Sequence, residues 1–273
     1  MTATVDRLLD LLDVRPQGNR VFSGTPSGSA RPRVFGGQVV GQALAAAGAT
    51  VDRRRRPHSL HAHFLRAGSS AEPIEYVVSV LREGRSFSTR EVRASQGAEP
   101  IFTMTASFHE AEPGLDHQVS TPAAPPPDTL RSITEHPEVW PDIYGEWTSV
   151  DIRPVPPHPD HPHGSRAWLR ITAPLPDDPL LHACVLACIS DLTLLSVALV
   201  PHGISPRHED HQLASLDHTV WFHRDCRADD WLLFDQTTPS MSDSLGLAHG
   251  RLLTADGTLV ASVAQEGLVR SLR

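Results

Sequence analysis

The chain has 273 residues, 40% of them hydrophobic and 21% charged, the balance of a soluble globular protein with one large or two ordinary domains. Its formal charge of −8 argues against a general nucleic-acid binder, which would be basic overall. All 24 basic residues are Arg, and the absence of Lys excludes P-loop phosphate transfer, pyridoxal Schiff-base chemistry and Lys-based acyl transfer.

The N-terminal stretch MTATVDRLLDLLDV carries acids inside its apolar run, so it predicts a short amphipathic helix capped by Thr4 or Asp6, not a signal peptide. SGTPSGSARPR reads as a loop. VFGGQVVGQALAAAGATV then has the length of a helix, and its small residues suggest close packing against something flat, such as a sheet. Gly36 and Gly37 at its start would let backbone N–H groups approach a ligand. Four strand-like runs follow, SLHAHFLR, PIEYVVSVLR, SFSTREVRAS and PIFTMTASFH, separated by turn residues as in an antiparallel meander.

Residues 111–164 lose all periodicity and are rich in Pro, which predicts a connector over the surface between an N-terminal unit (1–110) and a C-terminal unit (165–273). Its histidines, His158, His161 and His163, read as a polar loop, because nothing else supplies metal ligands at useful spacing. After it the first pattern returns. SRAWLRIT is a strand, and DDPLLHACVLACISDLTLLSVALV is a long apolar helix, broken near Ser190. Four more strands, ASLDHTVWFHR, DDWLLFDQTTP, SLGLAHGRLLT and GTLVASVAQEGLV, complete the chain. Ser59 to Ser215 is a step of 156 residues and Ser107 to Ser262 one of 155, which points to a duplication. The expected fold is α+β: two tandem repeats of a long central helix wrapped by an antiparallel sheet. Cys184, Cys188 and Cys226 are too few and too oddly placed for a disulfide framework, so a reducing, cytoplasmic setting is expected. No run reaches the roughly 20 apolar residues needed to cross a bilayer, so no membrane insertion is expected.

Much chemistry is missing. GxSxG, GxGxxG after a strand, and HExxH are all absent. His61 and His63 share one strand face and read as hydrogen-bonded side chains in preference to metal ligands. Arg53, Arg54, Arg55 and Arg56 follow the first long helix; they are either a solvated helix end or a phosphate contact, since Arg holds phosphate in bidentate fashion. Asp191 stands alone within CVLACISDLTLLSVAL. A charge there is costly unless paired, so it is either a helix cap or a carboxylate held for chemistry.

At this point the chain resembles the type II acyl-CoA thioesterases, the TesB-like double-hotdog family. RVFGGQVVGQAL, HSLHAHFLRAG, LREGRSFSTREV and PIFTMTASFHE carry the resemblance in the first half. SDLTLLSVALVPHG, LDHTVWFHR, WLLFDQTTPS and DGTLVASVAQEGLVR carry it in the second. It implies hydrolysis of fatty acyl-CoA to fatty acid and CoA, with an Asp, a Thr and a Gln orienting a water. The Asp falls on Asp191, the Gln on Gln265 and the Thr on Ser215, where this sequence departs by keeping the hydroxyl and losing the γ-methyl. Gly36, Gly37 and Gln38 would contact the substrate, Gly36–Gly37 or the turn near Asp191 would supply oxyanion donors, and no cofactor or metal is implied. Hotdog sheets associate, so a homo-oligomer (dimer or tetramer) is expected. Two other readings stand beside this one. A hotdog hydratase would place His five residues after the Asp, where this chain has Ser196, and a non-catalytic acyl-CoA binder would retain ligand and release nothing.

Overall fold

A computed structural model describes residues 5–29, 31–135, 147–204 and 211–272. Thirteen strands form one antiparallel sheet in the order β1-β2-β4-β5-β6-β3-β10-β13-β12-β11-β8-β7, with β9 pairing β13 off that path. The first half comprises α1 (Val5–Leu12), β1 (Val14–Gly18), β2 (Val21–Gly24), α2 (Gly36–Gly48), β3 (Arg55–Phe64), β4 (Ile74–Glu83), β5 (Phe87–Gln96) and β6 (Glu99–Glu110). The second comprises β7 (Val150–Val155), β8 (Gly164–Ile171), α3 (Pro179–Ser190), β9 (His211–Ser215), β10 (Asp217–Phe222), β11 (Leu232–Ser242), β12 (Leu245–Thr254) and β13 (Leu259–Ser271). The order β2-β4-β5-β6-β3 mirrors β8-β11-β12-β13-β10 across a seam where β3 pairs β10 antiparallel, Leu60 opposite Val220.

The long strands arise where apolar residues alternate with polar ones, so each strand turns one face to the helices. In β4, Ile74, Tyr76 and Val78 are buried while Glu75, Val77 and Ser79 face out. The helices fill the space behind the sheet. α2 packs on α3 and on β3 to β6, and the 3₁₀ stretch Leu195–His202 packs on β8, β11, β12 and β13. The cluster they enclose is continuous from Leu8 to Val263. On the sheet's other side, buried Asp235 accepts from Arg166 Nε at 2.7 Å and Arg251 Nη2 at 2.5 Å, tying β8, β11 and β12.

Several expectations need correction. The small residues of α2 serve a helix as well as a sheet: a Cβ on Gly37 would lie 2.2 Å from the Cys188 carbonyl oxygen, and one on Gly41 would lie 3.1 Å from that of Cys184. The stretch 179–202 is long and apolar enough to span a bilayer, with mean hydropathy 2.3, contrary to the reading above; 83% of its most apolar window is buried inside the protein, where it serves as core. β1 and β2 lie in what read as helix flank and loop, and β7 lies within the Pro-rich connector, its edge position tolerating Pro154. His161 stays in a loop, with its Nε2 2.9 Å from the Gln236 carbonyl oxygen. The two repeat offsets do not describe one structural match: Ser59 pairs with Ser107, whereas Ser215 pairs with Gly267 and Ser262 with Trp221. Asp6 lies in the first turn of α1, and Thr4 lies outside the described residues.

Candidate active site

α3 ends at Ser190, and Asp191 follows as its C-terminal cap residue in right-handed helical conformation. The next helical piece starts only at Leu195, so Asp191 does not cap it. Its carboxylate accepts instead from the backbone N–H of Gly37, in the first turn of α2. The positive end of one helix thus faces a carboxylate at the end of another, an arrangement that favours the anion.

β9 and β13 bring the other two residues to it. Ser215 closes β9 opposite Gly267, and Gln265 lies on the inward face of β13 with Val263 and Val269. Ser215 Oγ donates to Asp191 Oδ1 at 3.3 Å. Gln265 Nε2 donates to the same oxygen and lies 3.1 Å from Ser215 Oγ. The other carboxylate oxygen, Oδ2, lies against Gly36, where a Cβ would approach to 2.8 Å. Asp191 is 8% exposed, and burial pushes its pKa up to about 6 against the lowering effect of the Gln265, Gly37 and Ser215 hydrogen bonds.

Asp191, Ser215 and Gly36 line a cavity of about 740 Å³. Most of its remaining wall is apolar, including Val39, Phe64, Leu192, Leu195 and the pair Phe35–Trp147, whose rings lie 4.9 Å apart. Gln265 is fully buried and does not line the cavity, so it reaches a bound molecule only through Asp191 and Ser215. His218, which the sequence reading passed over, is also fully buried, with Nδ1 3.2 Å from Gln265 Nε2. Its position between Asp217 and Thr219 in an alternating strand was the available signal.

The remaining candidates separate. Gly36 is at the cavity. Gly37 is spent on Asp191 and on the approach of α3, so it is not an open oxyanion donor. The turn near Asp191 spends the Leu192 N–H on the Ile189 carbonyl. Gln38 is fully buried away from the cavity, donating from Nε2 to the Thr25 carbonyl oxygen at 3.1 Å. The run Arg53–Arg56 follows the helix by several residues and does not line the cavity. Arg54 pairs with Asp52 at 3.0 Å, Arg55 with Glu83 and Arg56 with Asp225. Arg53 is exposed. The cations that do line the cavity are Arg31, Arg33 and Arg66, and Asp191 is the one carboxylate among its described lining residues. His61 faces outward, edge-on to Trp221 at 5.6 Å, and among the described residues no group of three or more His, Cys, Asp or Glu could hold a metal.

Family models described as acyl-CoA thioesterase and acyl-CoA thioesterase N-terminal domain match residues 149–268 and 24–109. Human acyl-coenzyme A thioesterase 8 is 37% identical over 95% of this chain and 88% of its own length. The crystal structure of acyl-CoA thioesterase II from Mycobacterium marinum is 44% identical, with a TM-score of 0.84 over 96% of this chain and 97% of that one. A hot dog fold protein of unknown function from Alicyclobacillus acidocaldarius superposes with a TM-score of 0.81 at 21% identity, which shows the shared fold alone. With this site inside a hotdog sheet and relatives matched along almost its whole length, the chain belongs to the acyl-CoA thioesterase family.

Proposed function

We propose that Asp191 acts as the general base that directs a water onto the thioester carbonyl of a fatty acyl-CoA, releasing fatty acid and CoA. Family membership makes the chain an acyl-CoA thioester hydrolase. The observation that carries the mechanism is a carboxylate near pKa 6 at the wall of an apolar cavity, with one oxygen pinned by Gln265 and Ser215. A base of that strength is ionised at neutral pH and still takes a proton readily. Ser215 can hold the water's position, while Gln265 holds Asp191 and Ser215 from behind. Water adds to the carbonyl carbon as its proton passes to Asp191; the tetrahedral intermediate then collapses with loss of the CoA thiolate, which takes up a proton.

The acyl chain fits the apolar wall, and the phosphates of CoA fit Arg31, Arg33 and Arg66 in place of Arg53–Arg56. We read the mirrored strand orders as two tandem hotdog repeats, with the second beginning at β7 inside the 111–164 stretch, and expect a homo-oligomer. Cys184, Cys188 and Cys226 are free thiols, which supports the cytoplasm as the setting.

The test is release of free thiol from a panel of acyl-CoAs, with Asp191→Asn as the control. A single turnover in oxygen-18 water distinguishes water attack from attack by Asp191 itself. Label in the released fatty acid supports the mechanism, whereas label retained in the Asp191 peptide would show an anhydride intermediate and overturn it. A binding protein would release no thiol at all.

A further inference from the structure

We propose that His218 is a positioning residue for hydrolysis: it fixes the direction of the Gln265 side-chain amide, so that an N–H and not the carbonyl oxygen faces Asp191. The inference rests on Asp191 being the base, and its own content is what holds that base in working order.

Three hydrogen bonds, taken in sequence, determine the arrangement. Ser190 Oγ donates back to the Ala187 carbonyl oxygen at 3.0 Å within the last turn of α3. Its hydrogen is spent there, so the 2.9 Å contact with His218 Nε2 requires the ring to donate. A neutral imidazole that carries its proton on Nε2 presents a lone pair at Nδ1. Nδ1 lies 3.2 Å from Gln265 Nε2 and accepts one amide N–H. The same nitrogen then directs its second hydrogen toward Asp191 Oδ1 and Ser215 Oγ.

The reverse orientation of Gln265 is unfavourable on two sides. Turned over, its carbonyl oxygen would meet the His218 lone pair and the Asp191 carboxylate together, two acceptor–acceptor contacts in a buried site. The ring stays neutral in this place, for burial pushes its pKa down to about 4. Ser190 directly precedes Asp191, so the chain of bonds from α3 through His218 and Gln265 returns to the residue next to its origin. His218 does not line the cavity, so it acts on substrate only through Gln265 and Asp191.

Two near-isosteric substitutions divide the ring's functions. His218→Asn places an amide oxygen where Nδ1 was, keeping the acceptor for Gln265. His218→Gln places an amide nitrogen where Nε2 was, keeping the donor to Ser190 and losing the acceptor. With a saturated acyl-CoA as substrate, His218→Asn should keep kcat within about tenfold of the parent, and His218→Gln should lose roughly 100-fold, with KM little changed in both. The acid limb of the kcat profile should move to higher pH in His218→Gln, because Asp191 loses a hydrogen bond that favours its charge. Equal kcat losses that track equal losses of Tm, with the acid limb in place, would make His218 a core filler and overturn the proposal. Should both variants fail to fold, Ser190→Ala decides: it frees the ring's proton from Nε2, and an unchanged kcat and acid limb would overturn the proposal. Asp191→Asn run in parallel separates the two claims, since an active Asp191→Asn protein refutes the base itself, whatever His218 does.

Discussion

At Asp191 two effects oppose each other: burial disfavours the charge, and three hydrogen-bond donors favour it. Burial wins, so the folded pKa is above the unfolded one and the ionised form costs stability. That cost is absent below the unfolded value near 3.8 and complete above about 6, where it amounts to about 3 kcal/mol at most. Asp191→Asn should therefore be more stable than the parent to urea at neutral pH, with the gap closing as the pH falls toward 4. The same variant should retain less than about a hundredth of parental turnover, because the amide cannot take a proton. In the parent, kcat should fall with a single-proton slope as the pH drops through about 6. A second test at this scale concerns Ser215. Ser215→Thr keeps the hydroxyl and adds a γ-methyl that stiffens χ1, so it should leave kcat unchanged or raise it slightly, measured by thiol release.

Among the elements, the approach of α2 to α3 is what places the Gly37 N–H on Asp191. Two adjacent glycines should fail differently when replaced. A methyl on Gly37 meets the Cys188 backbone carbonyl at 2.2 Å, which cannot yield without separating the helices. Gly37→Ala should cost several kcal/mol, about the scale of overpacking in a core, and show as a large fall in Tm. A methyl on Gly36 meets the free end of the Asp191 side chain at 2.8 Å and the Phe64 ring at 3.0 Å. Gly36→Ala should keep the fold and lose turnover, because the carboxylate moves before the backbone does. Equal effects of the two variants on Tm would show that α2 and α3 are not held in this register.

Across the whole molecule, the chemistry comes from one half of the chain and the cavity wall from both. Asp191, Ser215 and Gln265 lie in the second half, while Gly36, Phe64, Arg33 and Arg66 come from the first. Trp147, from within the connector, packs on Phe35 at the head of α2 and narrows the apolar wall. Trp147→Ala should shift the kcat/KM optimum toward longer acyl chains, read across a chain-length panel. A chain of net charge −8 that sets three arginines about its cavity concentrates positive potential there. Arg33→Ala should raise KM several-fold with kcat nearly unchanged, and the difference from the parent should shrink in high salt.

The sequence by itself determined the long elements; Asp191, Ser215 and Gln265 come together as candidates only through the family resemblance, and the fold brings the three within hydrogen-bonding distance. In PIEYVVSVLR the buried Ile74, Tyr76 and Val78 alternate with the exposed Glu75 and Ser79, a pattern visible without a structure because the strand has one buried face. A lone Asp within an apolar run is visible in the sequence too, because a polar residue there must be paired. Short strands escaped, since β1, β2 and β9 have at most five residues and take their conformation from the neighbours they pair with. Which partners a side chain meets was decided only by the tertiary structure. Arg53–Arg56 reads from the sequence as either a solvated helix end or a phosphate contact, and the fold keeps all four off the cavity while placing there Arg31, Arg33 and Arg66, the last paired with Glu99 at 3.1 Å. The alternation of its strand signals that His218 is buried but not what it does, because that role depends on Ser190 and Gln265, residues 28 and 47 positions away that only the closed sheet brings to its two nitrogens.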